Sequence, residues 1–193
     1  MVTEYCHCGS LGAYLRYCNL LNEEEIKEIA SCCLLGLRCL HDQNMLHGVG
    51  VGVEGDGQDV EPYNFFLSES GVVKVGNTGL ATLMENPSSK RRKSCAWLYT
   101  APEAFKSGAV LKSDVWSLGM SVIEMVQGRH PFADLTSAQV VRRVCEDEPP
   151  CLTSLCWSRD LRGFVSRCLV KDIVGRASVK ELLRVVLSLL CYE

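Results

Sequence analysis

Residues 113–132 read SDVWSLGMSVIEMVQGRHPF, and this stretch decides the fold. Val115, Trp116, Leu118, Met120, Val122, Ile123, Met125 and Val126 fall on every side of a helical wheel, and Asp114 and Glu124 are the only charges before Gly128. A helix that is apolar all round is buried all round. Its Ser and Gly residues make it too interrupted to span a membrane. Asp114 stands in the first turn, where a carboxylate is favourable, and Gly128 followed by Pro131 ends the helix. The spacing predicts a central helix with the other elements packed about it; an ordinary core helix is the plainer alternative.

The rest of the chain supplies enough material to cover such a helix. The sequence has 193 residues, enough for one domain or one lobe of a larger one. A charged fraction of 22% and a net charge of −3 give no sign of nucleic-acid binding. The first residues do not read as a signal peptide and no long apolar run occurs, so no membrane is implied and a cytoplasmic location is expected. Twelve cysteines are many, but none form C-x-x-C; reduced thiols, several buried, fit better than a zinc site.

Taken in order, residues 2–5 are strand-like, 11–19 read as a short helix, and Asn22 with Glu25 has the form of a capping box. Ile26, Ile29, Ala30, Cys33, Leu37 and Leu40 then keep helical spacing as far as His41. A short strand is expected at 45–47. Two more, at 65–68 and 72–76, are joined by Glu69, Ser70 and Gly71 as a hairpin. Residues 77–100 read as a long loop. Helices at 138–145, 160–169 and 179–190 complete an α+β, mostly α, domain with a small β-hairpin.

This order of residues resembles the C-terminal lobe of a eukaryotic protein kinase over 1–193. Thr3, Glu4, Tyr5 and Cys6 resemble the gatekeeper and hinge. Asp59, Val60, Glu61, Pro62, Tyr63 and Asn64 resemble the catalytic loop D-x-K-P-x-N, followed by a strand containing Phe66. Asn77, Thr78 and Gly79 stand where the family carries D-F-G. Ala101, Pro102 and Glu103 are an intact A-P-E, Asp114 opens the central helix, and Gly175 and Arg176 resemble the late arginine segment. Asn64, Phe65, Phe66 and Leu67, with Gly79, Leu80 and Ala81, are closest to the NEK branch of Ser/Thr kinases.

The resemblance implies ATP and magnesium as cofactors, with Asp59 as proton acceptor, Asn64 and Asn77 at metal positions, and Glu4, Cys6 and Phe66 around the nucleotide. It also implies structural roles for His47 and Asp114, and an ion pair between Glu103 and Arg176. Several positions depart from the pattern. Gly48 replaces the Arg of H-R-D, and ten residues, 49–58, intervene before Asp59. Glu61 replaces the lysine that steadies the transferred phosphate. Asn77 replaces the magnesium carboxylate, Thr78 the Phe, and Ala96 a threonine near the catalytic loop. A neutral amide is a poorer ligand for a hard divalent cation than a carboxylate. GVGVGVEGDG at 48–57 lacks both the preceding strand and the following Lys-Ser/Thr of a phosphate loop. The sequence opens at the hinge, so the small lobe, with its glycine-rich loop and lysine, is expected to be absent.

Three readings follow. The first is a pseudokinase that binds protein partners, with weak or no ATP binding. The second is a working Ser/Thr kinase whose small lobe is encoded upstream of Met1. The third is a relic that does not fold stably. The basic run Lys90, Arg91, Arg92 and Lys93, beside Ser88 and Ser89, reads as a solvated loop tip or, functionally, as a site that binds an acidic partner, is phosphorylated within 88–94 or acts as a nuclear signal.

Overall fold

A computed structural model describes residues 4–17, 20–48, 60–76 and 96–190. Among them are α1 (Leu11–Tyr17), α2 (Glu23–His41), the antiparallel hairpin β1 (Phe65–Leu67) and β2 (Val73–Val75), α3 (Leu111–Gln127), α4 (Ser137–Glu146), α5 (Arg159–Cys168) and α6 (Val179–Leu190). The fold is α+β and mostly α, a protein-kinase-like lobe built round α3.

From Val115 to Met125 every apolar side chain of α3 is excluded from water. The helix starts two residues earlier than the apolar pattern alone suggests, because the Ser113 hydroxyl accepts the Val110 N–H at 2.9 Å and caps the first turn. Gly128, at φ 69°, terminates it in the left-handed conformation.

The box at the start of α2 is complete: Asn22 Oδ1 accepts the Glu25 N–H at 3.0 Å, and the Glu25 carboxylate accepts the Asn22 N–H at 2.8 Å. Residues Ile26, Ile29, Cys33, Leu34 and Leu37 bury one stripe. Gly36 presses against Val75 of the hairpin, where an added Cβ would lie 2.8 Å from a Val75 methyl. Gly71, at φ 78°, makes the hairpin turn.

The strand expected at 45–47 is not formed, and a second, at 2–5, is not formed over its described residues. Residues 45–47 form an irregular segment, because the backbone N–H groups of His47 and Gly48 are taken by the Asp114 side chain and not by a neighbouring strand. Of the strand expected at 2–5, residues 2 and 3 lie outside the described residues and Glu4 and Tyr5 are not in a strand; Gly9 donates to the Cys6 carbonyl at 3.1 Å and turns the chain. The reading of 77–95 as loop lies outside the described residues, which resume in a 3-10 turn at Ala96–Leu98.

Helices α3 and α5 approach closely at Gly119. An added Cβ there would sit 2.6 Å from Cys168 Cβ and 3.0 Å from a Leu169 methyl. Alanine ordinarily gains about 1 kcal/mol over glycine inside a helix. Here that gain is outweighed by overpacking, which costs about 1–3 kcal/mol. Gly119→Ala is therefore expected to lower the denaturation midpoint, measured by urea titration of circular dichroism.

His130 gives the fold an acid sensitivity. Its ring is buried edge-on to Tyr99, and its Nδ1 accepts the Phe132 N–H at 3.1 Å. Burial lowers its pKa from 6.5 to about 4, against the opposing pull of the Leu98 backbone. The unfolded chain therefore takes up this proton first, and stability is lost as pH falls from about 6.5 towards 4. Linkage puts the His130 share at roughly 2 kcal/mol between about pH 7.5 and 5. His130→Asn should flatten the stability–pH profile over that window; parallel profiles would remove His130 as the cause.

Candidate functional site

Three of the site candidates, His47, Gly48 and Asp114, meet between the end of α2 and the start of α3. Asp114, 1% exposed, receives three groups: the His47 N–H at 3.0 Å and His41 Nε2 at 2.7 Å on Oδ2, and the Gly48 N–H at 3.0 Å on Oδ1. A buried carboxylate is tolerable only when its lone pairs are taken up in this way. The His47 ring reaches the other way and donates from Nε2 to the Gly76 carbonyl at 2.8 Å. Burial is the largest influence on His47 and lowers its pKa, although the Asp114 charge opposes this, so the ring is neutral near pH 7.

The described residues resume at Val60. Val60 is wholly buried and its carbonyl accepts the Ser121 hydroxyl at 2.9 Å. Pro62–Asn64 make a 3-10 turn, closed by Asn64 N–H on the Glu61 carbonyl at 2.8 Å. The Asn64 carbonyl then accepts the Gly76 N–H at 2.9 Å, which brings Asn64 beside the residue that precedes Asn77. The Tyr63 ring lies on Gly12 of α1, with the Arg16 guanidinium 5.2 Å from the ring centre.

Glu61 is half-buried. Nearby, Tyr99 donates its hydroxyl to the Glu124 carboxylate. Burial pushes the Tyr99 pKa far up, and the Glu124 and Glu61 charges push it further. Burial also raises the Glu124 pKa, opposed by the Tyr99 hydrogen bond and by the Arg16 charge.

The remaining candidates are dispersed along the hairpin edge. Phe66 is half-buried and its ring packs on Gly76, where an added Cβ would be 2.8 Å from Phe66 Cε2. Exposed Glu4 pairs with Lys74 of β2 at 2.6 Å, and Cys6 is half-buried. Gly48 is buried and contributes only its backbone N–H to the contacts above. Asp59, Asn77 and Thr78, the 49–58 insert and the 88–94 basic loop lie outside the described residues, as does the side chain of Ala96.

A second centre holds the A-P-E segment. Both Glu103 oxygens receive the Arg176 guanidinium, at 2.6 and 2.8 Å, and Oε1 also accepts the Ser113 hydroxyl at 2.6 Å. Arg176, 1% exposed, places its other donors on the carbonyls of Val170, Lys112 and Lys171 at 2.7, 2.9 and 3.4 Å. All five guanidinium N–H groups are thus used. Its cationic carbon also lies 5.2 Å from the centre of the Trp116 ring. Burial would raise the Glu103 pKa, but the Arg176 and Ser113 hydrogen bonds outweigh it and hold the carboxyl below its ordinary range.

Two contributors escape sequence reading. His41 looks like the end of a helix, and Ser121 like one more small residue in an apolar run. Only the tertiary placement of α3 reveals either. Among the described residues no cluster of three or more His, Cys, Asp or Glu side chains is arranged to hold a metal, and no helix is long and apolar enough to cross a membrane.

This architecture is protein-kinase-like, and comparison supplies the family. The protein kinase domain model matches residues 1–187, so the chain belongs to the protein kinase family. It is similar to serine/threonine-protein kinase dst1 of Dictyostelium discoideum, at 33% identity over 186 residues, which cover 95% of this chain and 24% of that protein. The chain thus spans about a quarter of that relative. Members of this family generally use ATP and magnesium.

Proposed function

We propose that this chain is a catalytically impaired kinase domain, a pseudokinase that serves as a protein-binding or scaffolding module. Glu61 carries the reading. Phosphoryl transfer relies on positive charge around the migrating phosphate, and Glu61 puts a carboxylate at the position where the family carries a lysine. Gly48 and Asn77 remove two further charged groups. The residues present do not fit a magnesium–triphosphate well: Asn64 matches the family's amide at its metal position, but Asn77 stands in place of the second position's carboxylate, and Glu61 brings a negative charge where the family carries a lysine. Losing one well-placed electrostatic group costs about 10²–10³ in rate, and losses of this kind need not add.

The finer reading places the chain nearest the NEK branch, on Asn64 to Leu67 and Gly79 to Ala81. It also places the protein in the cytoplasm, with phosphorylation in 88–94 as a route of control. A working Ser/Thr kinase is the second reading, favoured by the D-x-x-x-x-N spacing of Asp59 and Asn64.

The test is phosphotransfer by the full-length protein from radiolabelled ATP to a protein hydroxyl, with and without magnesium. No transfer above an Asp59→Ala control is expected, and Glu61→Lys with Asn77→Asp should raise magnesium-dependent nucleotide binding. Robust transfer abolished by Asp59→Ala would overturn the proposal.

A further inference from the structure

We propose that the outer face of α5, from Arg159 to Arg167, is a docking surface for an extended acidic segment of a protein partner. Such a partner presupposes the protein-binding reading of the chain, and docking needs no phosphate transfer, so either reading can fail without the other.

Helix α5 turns Leu161, Phe164, Val165 and Cys168 inward. Arg159, Gly163 and Arg167 follow one another at intervals of four, so they form one ridge on the opposite side, with the arginines roughly 12 Å apart along the axis. Both arginines are exposed, and among the described residues neither has an ion-pair partner. Four other surface arginines are paired: Arg38 with Asp42, Arg129 with Asp134, Arg142 with Glu146 and Arg143 with Asp147. The third arginine of the helix, Arg162, bends back to donate to the Ser158 carbonyl at 3.4 Å. Asp160 is the one acid of α5 and lies in the first turn, where the helix N-terminus favours it.

Gly163 adds an independent observation. Glycine inside a helix is less favourable than alanine. At Gly119 and Gly36 packing accounts for it, because an added Cβ would strike a neighbour. At Gly163 an added Cβ would meet nothing within 4 Å, so no contact among the described residues requires the glycine. The Ser166 hydroxyl lies down on the Gly163 carbonyl at 2.9 Å. The ridge therefore dips between two unpaired guanidinium groups, and the bare helix backbone there admits another backbone closely.

Charge and spacing select the occupant. The planar fork of arginine grips a carboxylate through two hydrogen bonds. In an extended chain the side chains on one side recur about every 6.7 Å, so carboxylates four residues apart stand about 13 Å apart, close to the arginine spacing. The stretch between them passes over Gly163. A polyanion fits less well. Nucleic-acid binders neutralise about 6–10 phosphates and membrane-binding clusters hold about 4–8 basic residues, whereas α5 offers three arginines on a chain of net charge −3.

Amide chemical shifts of the isotope-labelled full chain, titrated at low salt with a synthetic peptide of alternating Glu and Gly, test the surface. Saturable shifts should concentrate at 159–167, and the matching peptide of alternating Gln and Gly should leave those amides unmoved. Arg159→Gln combined with Arg167→Gln should weaken binding about tenfold. Gly163→Leu should weaken it at least about threefold while the urea midpoint stays at or above that of the parent, because leucine is the better helix former and the space is open. That pairing of effects separates docking from a structural role. Four results would each overturn the proposal: no saturable shift; shifts spread equally over Arg142, Arg143 and Arg184; a change below about twofold in the double-arginine variant; or a DNA duplex or phosphatidylserine vesicles perturbing 159–167 at a lower concentration than the peptide does.

Discussion

Arg176→Ala should destabilise the domain by about 3–5 kcal/mol, the loss expected when one partner of a buried ion pair is removed. Against a total stability of about 5–15 kcal/mol for an ordinary domain, that is enough to unfold a marginal one. The cause is specific. Glu103 would stay buried with one hydroxyl, Ser113, on a carboxylate built for three donors, and the carbonyls of Lys112, Val170 and Lys171 would lose the guanidinium together. Arg176→Lys keeps the charge but offers three donors on one atom in place of a planar fork of five, so it should recover only a minor part. Glu103→Gln should be nearly as harmful as Glu103→Ala, because the buried cation loses its counter-charge in both. The double variant should cost clearly less than the sum of the singles, as measured by a denaturant-based double-mutant cycle; additive losses would mean that the pair acts as two independent groups. The pH dependence has a definite sign. Glu103 has a folded pKa below its ordinary value of 4.5, so its contribution is present above about pH 4.5 and is lost as pH falls through the folded value. Arg176 variants should lack that acid limb.

The ease with which different parts of this molecule can be read from its sequence follows from the range of the interactions involved. The start of α2 is legible because Asn22 and Glu25 satisfy each other within four residues. The buried α3 is legible because an all-round apolar pattern has one physical outcome, and the hairpin because Gly71 supplies a positive φ between two β-prone runs. The segment at 45–47 misleads because its apolar residues suit a strand, while its His47 N–H is claimed by a side chain 67 residues away and its Met45 N–H by the Leu40 carbonyl. No local pattern encodes that competition. The ion pair of Glu103 and Arg176 spans 73 residues and enters the sequence reading through family resemblance alone. His41 and Ser121 carry neither kind of signal. A histidine at a helix end and a serine in an apolar run look ordinary until α3 is placed against the segments they touch.

Asp114→Ala should cost a comparable amount, about 3–5 kcal/mol, but with a different signature. Each buried donor left without an acceptor costs about 1–3 kcal/mol, and this variant orphans the N–H groups of His47 and Gly48 and a nitrogen of His41 at once. Asp114→Asn separates these roles, because an amide has one accepting oxygen where the carboxylate has two. With that oxygen in the Oδ2 position, the substituted side chain keeps His47 and His41 and turns its NH₂ towards the N–H of Gly48, so that two donors face each other. The expected result is a smaller global loss, about 2 kcal/mol by the same per-group cost, with the disturbance concentrated at Gly48. Amide chemical shifts from isotope-labelled protein would read this directly: Gly48 should move most, His47 little, and residues 60–64, held by Ser121, least of all. Equal perturbation of Gly48 and residues 60–64 would mean that the loop answers to α3 as one block and that its two ends are not separately held. The distinction bears on function, because a loop held separately at each end keeps its geometry while the residues between them vary in number and kind. Ten residues, 49–58, stand between Gly48 and Asp59, and on the proposed reading of this segment as a catalytic loop they fall between two separately held ends.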